Sequence, residues 1–293
     1  SEPQNMASNA MNRYLNTSYP KGDPRYVSTL DESIDELKRV TLDEAKKFYA
    51  DFYGASNAEL AVVGDFDPAE VRKVAEEVLG SWKSPKPYAV VKRQWSKLAP
   101  MNTSLEAPDK ANANFYAVIP LNMDQQDADY PAMVLADRIM GGDEKSRLWV
   151  RIREREGLSY GVNSSFRAGP QEKYGSFVAG ASAKPENVVR VEDAFKDEVS
   201  KAVTVGFTPE EVTSAKTAFL QERQLGRSQD SSLAGLFVSQ AELGRTMARE
   251  NDLDKKVSDL TPAQLSATFK KWVDPASISY FKAGDFKKAQ AAK

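Results

Sequence analysis

The sequence predicts an α+β fold: antiparallel sheets with helices packed on one face, one complete domain preceded by the back half of a homologous one. Three observations carry this. First, the chain repeats itself without a gap: Thr41 aligns with Thr261, Phe52 with Trp272 and Gly64-Asp65-Phe66 with Gly284-Asp285-Phe286, an offset of 220 each time. Arg25 and Arg245 fall into the same register. Second, the apolar strands between the two copies come as a close pair, and long amphipathic helices follow in series. Third, the helix starts carry matching capping residues, so the two copies agree in local chemistry as well as in letters.

The elements follow in order. "TLDEAKKFYADF", from Thr41, is a helix whose Thr41 and Glu44 form a capping box. "AELAVVG" is an apolar strand ending in a Gly-Asp turn, and "PAEVRKVAEEVLGSW" is a further helix capped by Asp67. The Pro- and Lys-rich stretch "SWKSPKPYAVVKRQWSKLAPMNTSLEAPDK" reads as a linker. Beyond it, "NANFYAVIPL" is a strand, and "DYPAMVLADRIMGG" and "SRLWVRIRERE" are helices. "LSYGVNSSFRAG" and "KYGSFVAGASA" are strands close enough to form a hairpin. "NVVRVEDAFKDEVSKAVTVG" and "TPEEVTSAKTAFLQERQLG" are amphipathic helices, the second capped by Thr208 with Glu211 at its third position. The closing copy has its box at Thr261 and Gln264, then the strand "SISYFKAG". Residues 1–95 are therefore expected to be the C-terminal half of one repeat, and residues 96–293 a complete domain. Because the first copy has only 40 residues ahead of it and the chain opens at Ser1, preceding sequence is expected.

Composition narrows the function. The 40 basic and 42 acidic residues leave a net charge of −2, so no electrostatic footprint for nucleic acid is present. No apolar run has the length of a membrane span, and the first residues lack the pattern of a signal peptide. There is no cysteine and no histidine. That removes thiol chemistry, His-based triads and the common zinc sites. A carboxylate-only calcium or magnesium site stays open, but no D-x-D-x-D-G loop exists for one. "MGGDEKSR" lacks the glycine that a phosphate loop needs where Glu144 stands, and "VVGDFD" has one glycine where a dinucleotide fingerprint has three. Nothing marks any two carboxylates as an acid–base pair.

The stretch "SRLWVRIREREGLSYGVNSSF", Ser146 to Phe166, is the most informative. Ser146 can cap its helix, Leu148 and Ile152 supply a buried face, and Gly157 ends it with Leu158 as the apolar contact after the cap. Tyr160, Val162, Ser164 and Phe166 then share one strand face. Arg153 in the last helical turn complements the helix dipole, and an aromatic in a strand is ordinary. From the residues alone, both Arg153 and Tyr160 read as structure.

Together with Gly141 and Gly142, the stretch closely resembles the C-terminal half of the pitrilysin/insulinase family of zinc metallopeptidases, with its Gly-Gly, Ser-Arg-Leu, Arg-Glu, Gly-Leu and Tyr. "YPKGDPRYVSTLDESIDELKRVT", "AVVGDFDPAEV" and the tail from "GRTMARENDL" to "AGDF" resemble other parts of the same family, so the likeness covers nearly the whole chain. The resemblance implies homologous α+β units of about the repeat length. It implies that the zinc is held by H-x-x-E-H in an N-terminal half, on the same polypeptide or a partner subunit, and that this chain binds no zinc and is not catalytic alone. It implies that Arg153 and Tyr160 bind a peptide substrate across an enclosed chamber, where a guanidinium fork and a phenol can hold a carbonyl and favour its oxyanion. Gly141 and Gly142 stand where some relatives carry a glycine-rich substrate loop, and read here as a turn first. The family's exported members suggest a periplasmic location. The alternative implied by the resemblance is a non-catalytic structural or peptide-binding subunit.

Overall fold

The computed structural model describes residues 2–291. In chain order its principal elements are α1 (Pro3–Leu15), α2 (Leu30–Leu37), α3 (Leu42–Phe52), α4 (Pro68–Leu79), β1 (Asn102–Glu106), β2 (Ala113–Leu121) and α5 (Tyr130–Asp137). There follow β3 (Ser159–Ala168), β4 (Gly175–Ala183), α6 (Val188–Thr204), α7 (Pro209–Arg227), α8 (Asp230–Glu242), α9 (Met247–Asp259), α10 (Pro262–Trp272), β5 (Ser279–Gly284) and α11 (Phe286–Ala291). Two π-helical segments, Arg138–Gly142 and Trp149–Arg155, lie between α5 and β3. The chain divides into two compact units, one of residues 1–30, 92–218 and 256–293, the other of residues 31–91 and 219–255.

The first unit is the expected α+β arrangement. Its five-stranded sheet runs in the order β1-β5-β2-β4-β3. The β2–β4, β2–β5 and β3–β4 ladders are antiparallel; β1 runs parallel to β5. Asn102–Glu106 thus lies in the sheet, although the sequence around it reads as linker.

One face of the sheet carries the helices α5, α6 and α10. Phe115 and Phe177 point into that layer, with ring centroids 5.7 Å from Phe195 and 6.0 Å from Phe269 respectively. Alternation along β2 and β4 explains this: Phe115, Ala117 and Ile119 on one strand and Phe177, Ala179 and Ala181 on the next are all buried. The other face is covered in part by α1. Met11 packs with Val118 and Phe281, and the Tyr14 ring lies 5.4 Å from that of Phe281. A strand covered on both sides can be apolar at successive positions, which is why "FYAVIPL" runs without strict alternation.

Charged side chains are buried inside this unit, Lys282 and Glu192 among them. Lys282, in β5, faces the helices in register with Phe115 and is 8% exposed. Its ammonium is bonded to Glu192 of α6. Glu192 also accepts from Lys196 at 2.6 Å and from Asn102 Nδ2 at 2.9 Å. Burial by itself would raise the Glu192 carboxyl, but the bonds from Lys196 and Lys282 outweigh it and hold it below its ordinary value.

The second unit holds α2, α3, α4, α8 and the adjoining parts of α7 and α9. Arg223 joins Glu250 at 2.6 Å, and Gln240 Nε2 donates to the same carboxylate at 2.8 Å. The Thr41–Glu44 box is formed, as is its counterpart at Thr261–Gln264 in the first unit, and α3 and α10 begin and end at equivalent residues. The repeat is therefore real at the level of caps and helix lengths. It fails at the strand: residues 58–64 pair with no strand among the described residues, whereas their counterpart β5 is paired on both sides. The same contrast holds for the helices. Leu265 and Phe269 of α10 are fully buried, but Tyr49 of α3, equivalent to Phe269, is 53% exposed, and Phe48, Phe52, Val74 and Val78 are exposed with it.

Candidate functional site

The segment from Arg138 to Ala168 is built in three steps. The first is the Gly141-Gly142 turn. Gly141 is buried against β3 so closely that a Cβ there would lie 2.4 Å from the Ser164 backbone nitrogen. Only a glycine admits that approach. Gly142 is exposed, and a Cβ there would lie 3.2 Å from Arg138 Cγ. Ser164 answers from the strand: its hydroxyl donates to Asp137 Oδ1 at 2.6 Å. Burial pushes the Asp137 carboxyl up, and the bonds from Ser164 and the Phe166 backbone offset only part of this.

The second step is the charged helix. Ser146 does not cap it through an N–H; its hydroxyl donates backwards to the Asp143 carbonyl at 2.5 Å. Leu148 and Ile152 are buried as the spacing predicts. The helix widens to π geometry from Trp149 to Arg155, a form that clusters at functional sites. Its charges divide into two sets. Arg147 makes a bidentate pair with Glu211, both bonds at 2.7 Å, donates to the Gly206 carbonyl at 2.7 Å and stacks on Phe207. Arg151 pairs with Glu156 and, at 3.6 Å, with Asp197 of α6. These fasten the helix to its neighbours. Arg153 does not take part: it is exposed, makes no ion pair among the described residues, and lies 4.2 Å over the Trp149 ring. Stacking occupies the face of the guanidinium and leaves its edge donors open.

The third step is the turn into β3. Gly157 has φ of +60°, which a side chain would oppose, and the Leu158 N–H closes the end on the Ile152 carbonyl at 2.9 Å. Leu158 is buried. The strand register then shifts: Ser159 pairs with Ala183 and Gly161 with Ser182, so Tyr160 is an extra residue with no partner. This corrects the expected shared face. Val162 and Ser164 are buried and Phe166 lies 5.7 Å from the Tyr130 ring, but Tyr160 is turned out and 59% exposed. A bulge re-aims the side chain it carries. Arg153 and Tyr160 thus stand on adjoining elements across the Gly157 turn. No hydrogen bond or ion pair joins them, and the Tyr160 hydroxyl has no hydrogen-bond partner among the described residues. Because β3 is the last strand of the sheet, its outer backbone edge pairs with no other strand there.

Sequence reasoning missed Arg147, the residue with the most polar contacts in the segment. An arginine on an exposed-looking helix reads as solvated. The signal available was Glu211, whose capping role already fixed one carboxylate near a helix start.

These residues do not fit the zinc that the family resemblance implies. The chain has neither histidine nor cysteine. Among the described residues no group of three or more His, Cys, Asp or Glu side chains is placed to hold a metal ion.

Comparison with known proteins agrees on kinship. The family model described as the peptidase M16 inactive domain matches residues 39–219. An uncharacterized zinc protease of Streptomyces coelicolor is 24% identical over 248 residues, covering 80% of this chain and 52% of its own length. A probable inactive metalloprotease of Bacillus subtilis is 22% identical over 140 residues, covering 48% of this chain and 32% of its own. The chain thus spans about half or less of the curated relatives it matches. Among solved structures, a peptidase M16 inactive domain from Pseudomonas fluorescens superimposes with a TM-score of 0.78 at 23% identity, over 97% of this chain and 66% of that one. At that identity the superposition speaks for the fold. Among the described residues no helix is long and apolar enough to cross a membrane.

Proposed function

Because this chain belongs to the family of peptidase M16 inactive domains, we propose that it is the substrate-holding, non-zinc portion of a zinc metalloendopeptidase acting on extended peptides or unfolded proteins. The observation that carries this reading is the bulge at Tyr160. It turns a phenol outward at an open strand edge, across one glycine turn from a guanidinium whose donors are unspent. An extended peptide adding to β3 would place its backbone carbonyls within reach of both. A neutral phenol and a fixed cation suit a carbonyl that gains negative charge. Gly141 supports this pair by letting the turn pack directly on β3, and Gly142 stays open to solvent beside it.

The zinc belongs, in this reading, to an N-terminal half on the same polypeptide or on a partner subunit. The exposed apolar face of the second unit supports that arrangement. Phe48, Tyr49, Phe52 and Val74 are too many large apolar groups for an isolated surface. The counterpart of Tyr49 in the repeat, Phe269, is covered by the sheet, its ring 6.0 Å from that of Phe177 in β4, so the covering segment is expected to supply such a sheet. Export to the periplasm is part of the same proposal; fractionation of cells carrying the whole gene tests it.

The test of function is turnover in the assembled enzyme. Tyr160→Phe is expected to lower turnover by more than about tenfold while the fold survives. Turnover near wild type would refute the role given to Tyr160. The Bacillus relative, described as inactive, favours a second reading, a non-catalytic structural or peptide-binding subunit. Peptide binding without hydrolysis in the whole assembly would establish it.

A further inference from the structure

The far end of β3 holds a second set of unspent groups. A cavity of about 610 Å³, within the size range of ligand sites, opens on the sheet face beside α1. Arg93 and Arg167 both line it. The Arg167 guanidinium makes no ion pair or hydrogen bond among the described residues, and Arg93 lies 5.6 Å over the Tyr174 ring. Ser165 and Ser176 line the same cavity, and alternation explains why: Ser165 and Arg167 share the strand face opposite the helices, and Ser176 is the register partner of Arg167. One carboxylate, Glu172, is also present, folded back over Gly169. Two guanidiniums against one carboxylate leave the cavity with an excess positive charge. Asn16 closes it from α1, its Nδ2 donating to the Asn12 carbonyl at 2.8 Å.

We propose that this cavity is a carboxylate subsite, in which Arg93 and Arg167 anchor an acidic group of the peptide that lies along β3. This rests on the strand-addition reading above. Guanidinium forks bind carboxylates through paired N–H donors, and the two serine hydroxyls can serve the remaining lone pairs. Tyr160 and Arg167 are separated by seven residues of strand, about 20–24 Å. A peptide held at both ends therefore spans six or seven residues between them. The acidic group has two sources. A terminal carboxylate requires the peptide to run parallel to β3; an Asp or Glu side chain leaves its direction free.

Fluorescence anisotropy on the full chain separates these cases. Three labelled octapeptides of alanine, valine and threonine serve as probes: one with a free C-terminus, one amidated, and one amidated with aspartate as the seventh residue. The free acid or the aspartate peptide is expected to bind about tenfold or more tightly than the plain amide. Whichever does identifies the source. Arg167→Gln and Arg93→Gln should each shrink that advantage while leaving the plain amide unchanged. If all three peptides bind alike, the subsite is refuted and strand addition stands. If none binds, strand addition fails, and the subsite with it.

Discussion

Replacing Gly141 with alanine sets a methyl carbon 2.4 Å from the Ser164 nitrogen and 2.7 Å from its hydroxyl. Ordinary van der Waals contact begins about 1 Å farther out, so β3 or the turn must move by that much. Overpacking of this kind costs about 1–3 kcal/mol. The moving residue is also the one whose hydroxyl donates to the half-buried Asp137 carboxyl group at 2.6 Å, and loosening that bond adds roughly 1 kcal/mol. The expected loss is about 3 kcal/mol, or a fall in Tm of roughly 6–12 °C. Gly142→Ala is the internal control. It is exposed, and its new methyl would lie 3.2 Å from Arg138 Cγ and 3.7 Å from the Asp137 carbonyl, a crowding of a few tenths of an ångström, so it should cost about 1 kcal/mol or less. Urea unfolding followed by circular dichroism measures both, and hydrogen exchange on β3 locates the damage. If Gly141→Ala is as stable as wild type, or Gly142→Ala is the more damaging, the packing role of Gly141 is wrong. A conformational role for a flexible substrate loop would then be the better account.

Arg147→Met should destabilise the first unit by about 2–3 kcal/mol, because it leaves the half-buried Glu211 without its bidentate partner; chemical denaturation reads this directly. Glu192→Gln is expected to cost about 3 kcal/mol near neutral pH, since Lys282 would keep a buried charge without its carboxylate. Acid titration gives the sign. The folded Glu192 value is depressed below 4.5, so its contribution is complete above that pH and is lost as pH falls through the folded value. Wild type should therefore lose stability steeply on acidification and Glu192→Gln less so. Equal slopes would show that the network does not hold the charge as described. Thr41→Ala and Thr261→Ala should each cost about 1 kcal/mol through loss of a formed capping box, visible as separate shifts if the two units melt apart.

Much of this fold could be read before any coordinates. The caps at Thr41, Thr208 and Thr261 are local events between residues three apart, and each forms as the letters imply. Gly157 and Leu158 are equally local. Strand pairing is not local, and there the reading weakens. "AELAVVG" has all the composition of a strand, yet no partner lies beside it among the described residues. Asn102–Glu106 looks like linker and becomes a strand because β5 offers it an edge. α1 carries an apolar stripe of Ala7, Met11, Tyr14 and Leu15, but nothing in those letters says which sheet face it covers. At the site, Arg153 and Tyr160 came from kinship, since each taken singly has an ordinary structural explanation. The bulge that sets Tyr160 apart was invisible because Ser-Tyr-Gly-Val alternates like any strand. The carboxylate subsite joins residues from separate segments, Arg93 and Arg167, which no spacing rule connects.

The place of β5 between β1 and β2 also governs how the chain must be made. Its ladder partners are synthesised roughly 160–180 residues before it. At about 5–20 residues per second, β2 waits on the order of ten to thirty seconds with one apolar edge unpaired. Closure of so long a loop places folding of this unit among the slow, high-contact-order topologies. During that interval "FYAVIPL" is an aggregation hazard, and a holding chaperone or the preceding segment of the nascent chain would have to shield it. A chain interrupted just before Ser279 would lack an inner strand of its sheet, leaving β1 without a partner and the edge of β2 bare, so quality control would meet it as an open template rather than as a domain missing its tail.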